Sequence, residues 1–144
     1  MLISVPAECM DATRKQILII DDDDGIRHIL RRALEDAGYA VSEAADGAAG
    51  LKRFREAKAD LVITDIIMPE REGMETIMTL RKESPDTAII AVSGGGCGGA
   101  DYLAVAVKLG AVRVFRKPFS LAGVVGAVRE VLEGEEAPEP KGTA

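Results

Sequence analysis

Short runs of branched apolar residues alternate along this chain with stretches of helical periodicity, and that alternation leaves few folds open. Runs at 16–20, 60–65, 88–92 and 112–115 have the length and the Ile, Leu and Val content of buried strands. The stretch 39–45 alternates weakly and reads as a strand nearer a sheet edge. A helical pattern follows each run, so five βα units and a parallel sheet with helices packed on it are predicted, an α/β class. Aromatic residues make up only 3% of the chain and Trp is absent, so the core must be aliphatic.

Each helix carries its own stripe. Ile26, Ile29, Leu30, Ala33, Leu34 and Ala37 follow the i, i+3, i+4, i+7 spacing, and Gly38 supplies a left-handed stop. Ala49, Leu51, Phe54 and Ala57 mark a second helix. Met74, Ile77 and Met78 mark a third over about 74–82, broken by Ser84-Pro85-Asp86. A fourth covers about 100–109 and stops at Gly110, and a fifth over 120–133 carries Leu121, Val124, Val125, Val128 and Leu132. Residues 15–133 therefore form one domain, of a size that suits 144 residues. Residues 1–14 read as a flexible extension in which Met10 is an alternative start. Residues 134–144, rich in Glu and Pro, bury too little apolar area to offset their ordering entropy and read as a disordered tail.

Charge and cysteine usage exclude several classes of function. A net charge of −6 disfavours contact with a phosphate backbone, so no direct nucleic-acid binding is expected. No apolar run is long enough for a membrane span and the first ten residues lack a basic segment, so the cytosol is the expected compartment, away from any membrane. Cys9 and Cys97 sit far from any metal-type spacing and predict neither a zinc site nor a structural disulfide. His28, the single histidine, reads as a surface helix residue. The run from Ser93 to Gly99 has five glycines, but it lacks the Gly-Lys-Ser/Thr ending of a phosphate-binding loop.

The chemistry concentrates at strand exits. Ile17 to Ile20 run straight into Asp21, Asp22, Asp23 and Asp24, so a greasy strand delivers charge to the rim of the sheet without burying it. Ligands of open parallel sheets bind beyond those carboxyl ends. Asp65 ends the third strand, Ser93 the fourth, and Lys117 follows the fifth. Asp23 and Asp24 read as the cap and first-turn acid of the first helix. Carboxylates gathered within a few ångströms repel unless a cation joins them, and oxygen ligands of this number suit Mg²⁺. An aspartate beside Mg²⁺, a lysine and a hydroxyl is equipped to attack a phosphoryl group and form an aspartyl phosphate. Phe119 reads as core.

The segments Ile-Leu-Ile-Ile-Asp-Asp-Asp, Leu-Val-Ile-Thr-Asp-Ile-Ile-Met-Pro, Ala-Val-Ser-Gly and Phe-Arg-Lys-Pro-Phe stand in this order, and together they resemble the receiver domain of two-component response regulators. The resemblance covers about residues 15–133 and implies a flavodoxin-like (βα)5 three-layer sandwich with strand order 2-1-3-4-5. It implies Asp65 as phosphoacceptor, Asp22 as a direct Mg²⁺ ligand, Asp21 acting largely through water, and Ile67 lending its backbone carbonyl to the metal. It implies Ser93 as the switch hydroxyl, and Lys117, ahead of a cis peptide to Pro118, as the partner of the phosphoryl group. It further implies a phosphoprotein in phosphorelay signal transduction that takes its phosphoryl group from a sensor histidine kinase or histidine phosphotransfer protein. Such a domain signals by contact rather than turnover, and is not an enzyme. The face of the fourth helix, fifth strand and fifth helix would meet a downstream protein or a second receiver as a homodimer. Since no second globular segment follows Glu133, a stand-alone, chemotaxis-regulator-like receiver is expected; a receiver fragment of a longer multidomain regulator is the neighbouring alternative.

A different class of function is a Mg²⁺-dependent phosphohydrolase with an aspartyl-phosphate intermediate. Such enzymes use a second acid two residues after the nucleophile, where this chain has Ile67. Two further features depart from the receiver pattern. Val114 replaces the aromatic that often precedes the lysine by three, which removes the usual aromatic readout. Ile67 and Gly95, two after the phosphoacceptor and the switch hydroxyl, offer no polar side chain to orient an attacking water. The phosphoryl group is therefore predicted to persist for minutes or longer, and loss of radiolabel within seconds from phosphorylated protein would refute this.

Overall fold

From Ile17 to Ile20 every residue of β1 (Gln16–Ile20) is buried, and the chain builds outward from that strand. A computed structural model describes residues 14–66, 72–93 and 99–134. After β1 come α1 (Asp24–Asp36), β2 (Ala40–Ala44), α2 (Gly47–Glu56), β3 (Leu61–Asp65), α3 (Glu72–Glu83), β4 (Ala88–Ser93), α4 (Gly99–Leu109), β5 (Arg113–Arg116) and α5 (Leu121–Glu133). The strands form one five-stranded sheet in the order β2-β1-β3-β4-β5. All four pairings are parallel, with Ile17 opposite both Val41 and Leu61, Leu61 opposite Ala88, and Ile90 opposite Arg113.

Alternation along the strands divides the core in two. Leu18, Ile20, Val62 and Ile89 pack with Phe54 of α2, Ile77 and Leu80 of α3, and Ala106 of α4. Ile17, Ile19, Ile63 and Ile90 pack with Leu30 and Leu34 of α1 and with Val124 and Val128 of α5. The architecture is thus three layers, with α1 and α5 on one face of the sheet and α2, α3 and α4 on the other. The central strands are greasy on both sides because both faces are covered. β2 is an edge strand, as its weak alternation predicted, and only Ala44 of its five residues is fully buried.

The helix starts follow capping chemistry. Asp23 accepts from the N–H groups of Gly25 and Ile26 at 2.9 and 3.1 Å, Asp46 from Ala49 at 2.7 Å, and Ser120 from Gly123 at 3.0 Å. Gly38, past the end of α1, has φ +103°, a conformation that an L side chain rarely adopts.

Several sequence expectations shift in detail. α3 begins at Glu72 rather than Met74, and its buried stripe is Thr76, Ile77 and Leu80, while Met78 is 55% exposed. At 100° per residue Met78 lies well off the line joining Ile77 and Leu80. Ile29 is 49% exposed for the same reason, at the margin of the stripe through Ile26, Leu30 and Leu34. β5 sits one residue later than the apolar run suggested, and Phe119 is half-buried at the margin of the core. The expectations for the extension 1–13, for Cys9 and Cys97, for Ile67 and Gly95, and for the tail after residue 134 lie outside the described residues.

One close approach fixes how α2 lies on the sheet. A Cβ added at Gly50 would stand 2.4 Å from Cδ1 and 2.7 Å from Cγ1 of Ile20, which is wholly buried. Gly50→Ala is expected to lower unfolding stability by about 1–3 kcal/mol through overpacking. Adding Ile20→Val, which deletes the nearest carbon, should recover part of that loss. Urea midpoints of the two variants check this; an additive double mutant would refute the contact.

Candidate functional site

The backbone ladder brings the strand exits to one rim. Past β1, the Asp21 N–H still donates to the Ala44 carbonyl at 3.1 Å. Asp65 lies opposite Val92, and the next residue, Ile66, donates its N–H to the Val92 carbonyl at 2.9 Å. Ser93, buried at the end of β4, accepts the Lys117 N–H on its carbonyl at 2.7 Å. The residues singled out on separate strands are therefore neighbours at the carboxyl end of the sheet. The peptide bond from Lys117 to Pro118 is cis.

Within that rim Lys117 is the hub. Its Nζ lies 2.9 Å from Oδ2 of Asp65 and 3.0 Å from Oδ2 of Asp21. Both carboxylates are buried, whereas Asp22 is exposed. Oδ1 of Asp21 accepts a further hydrogen bond from the Asp23 N–H at 2.9 Å. Burial pulls the Lys117 pKa down, but the hydrogen bonds and charges of Asp65 and Asp21 outweigh it and hold the group above its ordinary 10.5. No buried side-chain nitrogen or oxygen among the described residues lacks a partner.

Carboxylate oxygens of Asp21, Asp22 and Asp65 all come within 4.8 Å of one another. Three carboxylates facing one ammonium leave uncompensated negative charge, and an all-oxygen donor set with a solvent-facing member suits a hard divalent cation that keeps part of its water. The residues present therefore fit Mg²⁺. Ser93 shares the rim, whereas Ile67 lies outside the described residues. Asp23 and Asp24 take the capping and first-turn places expected of them.

Two features were not legible in the sequence. The first is an apolar hollow of about 500 Å³ beside Lys117, lined by Ile26, Ile29, Pro118, Phe119 and Leu121, which explains why Ile29 remains outside the core. The second is Arg27. Its Nη1 donates to the Asp21 carbonyl at 2.7 Å, its Nε to Glu43 of β2 at 3.0 Å, and its Nη2 to Asp24. Arg31 holds the other Glu43 oxygen at 2.9 Å. Hydrogen bonding from Arg31, together with Arg27, keeps the Glu43 carboxyl below its ordinary 4.5 despite partial burial. The sequence signals for this network were local, the i, i+3 spacing of Asp24 and Arg27 and the i, i+4 spacing of Arg31 and Glu35, and neither points to Glu43.

Comparison with known proteins gives a consistent result. The description of the response regulator receiver domain matches residues 17–129. The chain is 33% identical over 123 residues to the response regulator receiver protein CpdR of Brucella abortus, covering 82% of this chain and 97% of that protein. It is 36% identical over 118 residues to the chemotaxis protein CheY of Thermotoga maritima, covering 81% and 97%. It is also 37% identical to part of the sensor kinase CckA of Brucella abortus, of which it spans only 13%. Among solved structures, a CheY-like receiver domain protein from Methanospirillum hungatei superposes with a TM-score of 0.78 at 29% identity, covering 85% of this chain and 96% of that one. No helix among the described residues is long and apolar enough to cross a membrane.

The charge imbalance in the pocket can be tested without a phosphodonor. Asp22→Asn removes one of three mutually repelling carboxylates, and without divalent cations it is expected to raise stability by about 1 kcal/mol at neutral pH, a figure reduced for the exposure of Asp22. Wild type, by contrast, should gain stability on adding Mg²⁺, a gain the variant largely loses. Thermal unfolding with and without 10-fold excess chelator, in ~mM Mg²⁺ or none, reads both effects.

Proposed function

Because the chain belongs to the receiver-domain family of two-component response regulators, a family of phosphorylation-dependent signalling domains, we propose that Asp65 is its phosphoacceptor, within one receiver unit over residues 15–133. The observation that carries this reading is the contact of Lys117 Nζ with Asp65 at 2.9 Å and Asp21 at 3.0 Å, beside the exposed carboxylate of Asp22. An ammonium so held stands ready to follow a phosphoryl group that arrives on Asp65.

Receiver domains accept phosphoryl groups from histidine kinases or phosphotransfer proteins. In the proposed step a carboxylate oxygen of Asp65 attacks phosphorus in line, the P–N bond of the donor phosphohistidine breaks, and the imidazole leaves with its electron pair and takes up a proton. The product is a mixed anhydride on Asp65. Receiver domains typically bind Mg²⁺ at an acidic pocket. Here Asp21, Asp22 and Asp65 would hold it, with the Ile67 carbonyl as a further ligand, and when bound it supplies charge neutralisation for the phosphoryl oxygens. Lys117 orients and neutralises a second oxygen, and the Ser93 hydroxyl turns toward the new group as the switch. Burial of Asp21 and Asp65 lowers the local dielectric and strengthens each of these attractions.

Output through the face of α4, β5 and α5 is part of this reading; α4 carries Val105 and Val107, on either flank of buried Ala106, and Val112 precedes β5, at 41%, 53% and 42% exposure, so apolar side chains in this part of the molecule are open to a target protein or a second receiver. Val114 of β5 is half-buried and aliphatic, so a readout there must use packing other than an inward-swinging aromatic. The chain functions on this reading as a signalling switch in the cytoplasm rather than as a turnover enzyme. The phosphohydrolase alternative is not favoured, since the matches are receiver domains.

Acetyl phosphate with Mg²⁺ is expected to add one phosphoryl unit to the wild-type chain and none to Asp65→Asn, read by intact mass. Omitting Mg²⁺ should suppress the wild-type adduct. An adduct of equal yield on Asp65→Asn would place the acceptor elsewhere and overturn the assignment.

A further inference from the structure

Arg27 spends all three guanidinium nitrogens just behind the acidic pair, and none of them on the pair's carboxylates. Nη1 donates to the backbone carbonyl of Asp21 at 2.7 Å, Nε to Glu43 at 3.0 Å and Nη2 to Asp24. The side chain is only 14% exposed. Glu43 is itself pinned by Arg31 at 2.9 Å, and Arg31 in turn by Glu35 at 2.9 Å. The guanidinium is thus the end of a braced chain that runs from the middle of α1 over the sheet-edge strand β2 to one carbonyl oxygen.

That carbonyl belongs to the peptide joining Asp21 to Asp22. On its N-terminal side Asp21 is tied by its N–H to Ala44. On the C-terminal side Asp23 is locked as the cap of α1. Between them the Asp21–Asp22 peptide is spanned on one side by the bond from the Asp23 N–H to Oδ1 of Asp21 at 2.9 Å, and its own oxygen is held by the guanidinium; the tilt of this peptide sets the direction in which the Asp22 side chain leaves the backbone. We propose that Arg27 is a positioning residue for divalent-cation binding: by fixing this peptide plane it aims the exposed Asp22 carboxylate at the pocket shared with Asp21 and Asp65. The inference rests on the receiver reading above, in which those carboxylates are the metal ligands.

Charge and position predict opposite signs here. A guanidinium near a cation site repels the cation, so deleting Arg27 would tighten binding if charge were its effect. Loss of alignment would weaken it, as loss of groups that orient metal ligands typically does by about tenfold or more. Lysine keeps the charge but has a single nitrogen, and cannot hold a carbonyl, Glu43 and Asp24 in one fork.

The test is calorimetric titration of Mg²⁺ into the unphosphorylated full chain. Arg27→Ala and Arg27→Lys are each expected to raise the Mg²⁺ Kd about tenfold. Glu43→Gln, which removes the charge that braces the guanidinium, should raise it about threefold. Arg55→Ala, which breaks an exposed pair with Glu83 elsewhere on the surface, should leave it unchanged. In acetyl phosphate reactions the Mg²⁺ concentration giving half-maximal rate should rise by the same factors, with the rate at saturating Mg²⁺ within about twofold of wild type. Circular dichroism identifies any variant that does not fold, and if Arg27→Ala fails that check, Arg27→Lys and Glu43→Gln decide. Unchanged or tighter Mg²⁺ binding by folded variants, or full retention by Arg27→Lys, overturns the inference alone. Wild-type protein that binds no Mg²⁺ overturns the receiver-site reading together with it.

Discussion

Two buried carboxylates share a single ammonium at the rim of this sheet, and the remaining architecture can be understood as what makes that arrangement tolerable. Asp21 follows β1 directly and Asp65 ends the adjacent parallel strand β3, so the register that pairs Ile17 with Leu61 also sets their spacing. Like charges so placed repel, and their burial removes the water that would screen them. Lys117, delivered from beyond β5, offsets the repulsion between them. Its long side chain reaches across from the far edge of the sheet, beyond β4, which no residue on β3 itself could replace. A third carboxylate, Asp22, leaves the set short of positive charge. An all-oxygen set left short of positive charge in this way suits a hard divalent cation, and this is where structure passes into function.

The scaffold keeps that balance by being rigid on both faces. Alternate residues of each central strand enter two separate aliphatic clusters, so a shift of one residue in any strand would exchange the clusters and displace the acids together. α2 lies close enough that Gly50 touches Ile20, the residue immediately before Asp21. On the opposite face α1 contributes Leu30 and Leu34 to the core and Arg27 to a hydrogen bond with the backbone of the acidic pair, so one helix both packs on the sheet and reaches the rim. The hollow beside Lys117 and the exposed valines of α4 lie where helix stripes run out at the surface, on different sides of the site.

The sequence made the elements legible because periodicity is local. Period-two and period-3.6 patterns, Gly38 at the end of α1, and acids or serine at helix starts place all ten elements within about two residues, since each signal depends only on neighbours. The errors fall where burial is decided by packing angle. Ile29 and Met78 have the right hydrophobicity and nearly the right spacing, but they sit at the margins of their stripes, and only the orientation of each helix on the sheet settles which margin is covered. β5 was placed one residue early because Val112 is apolar, whereas the strand begins where Arg113 pairs with Ile90.

The candidate site divides in the same way. Asp21, Asp22, Asp65, Ser93 and Lys117 could be named from the chain alone because each ends or follows a strand-like run, and parallel βα repeats send all such ends to one rim. The sequence by itself therefore determined the α/β class, the order of elements and the acids, hydroxyl and lysine at that rim. Tertiary structure alone decided which of them touch: Lys117 against both Asp65 and Asp21, and Arg27 against the Asp21 carbonyl and Glu43. The physical reason is range. A hydrogen-bonded turn or strand is specified by residues a few positions apart, whereas contacts across 52 positions, as between Lys117 and Asp65, exist only after the sheet has fixed its register and the helices have closed both faces over it.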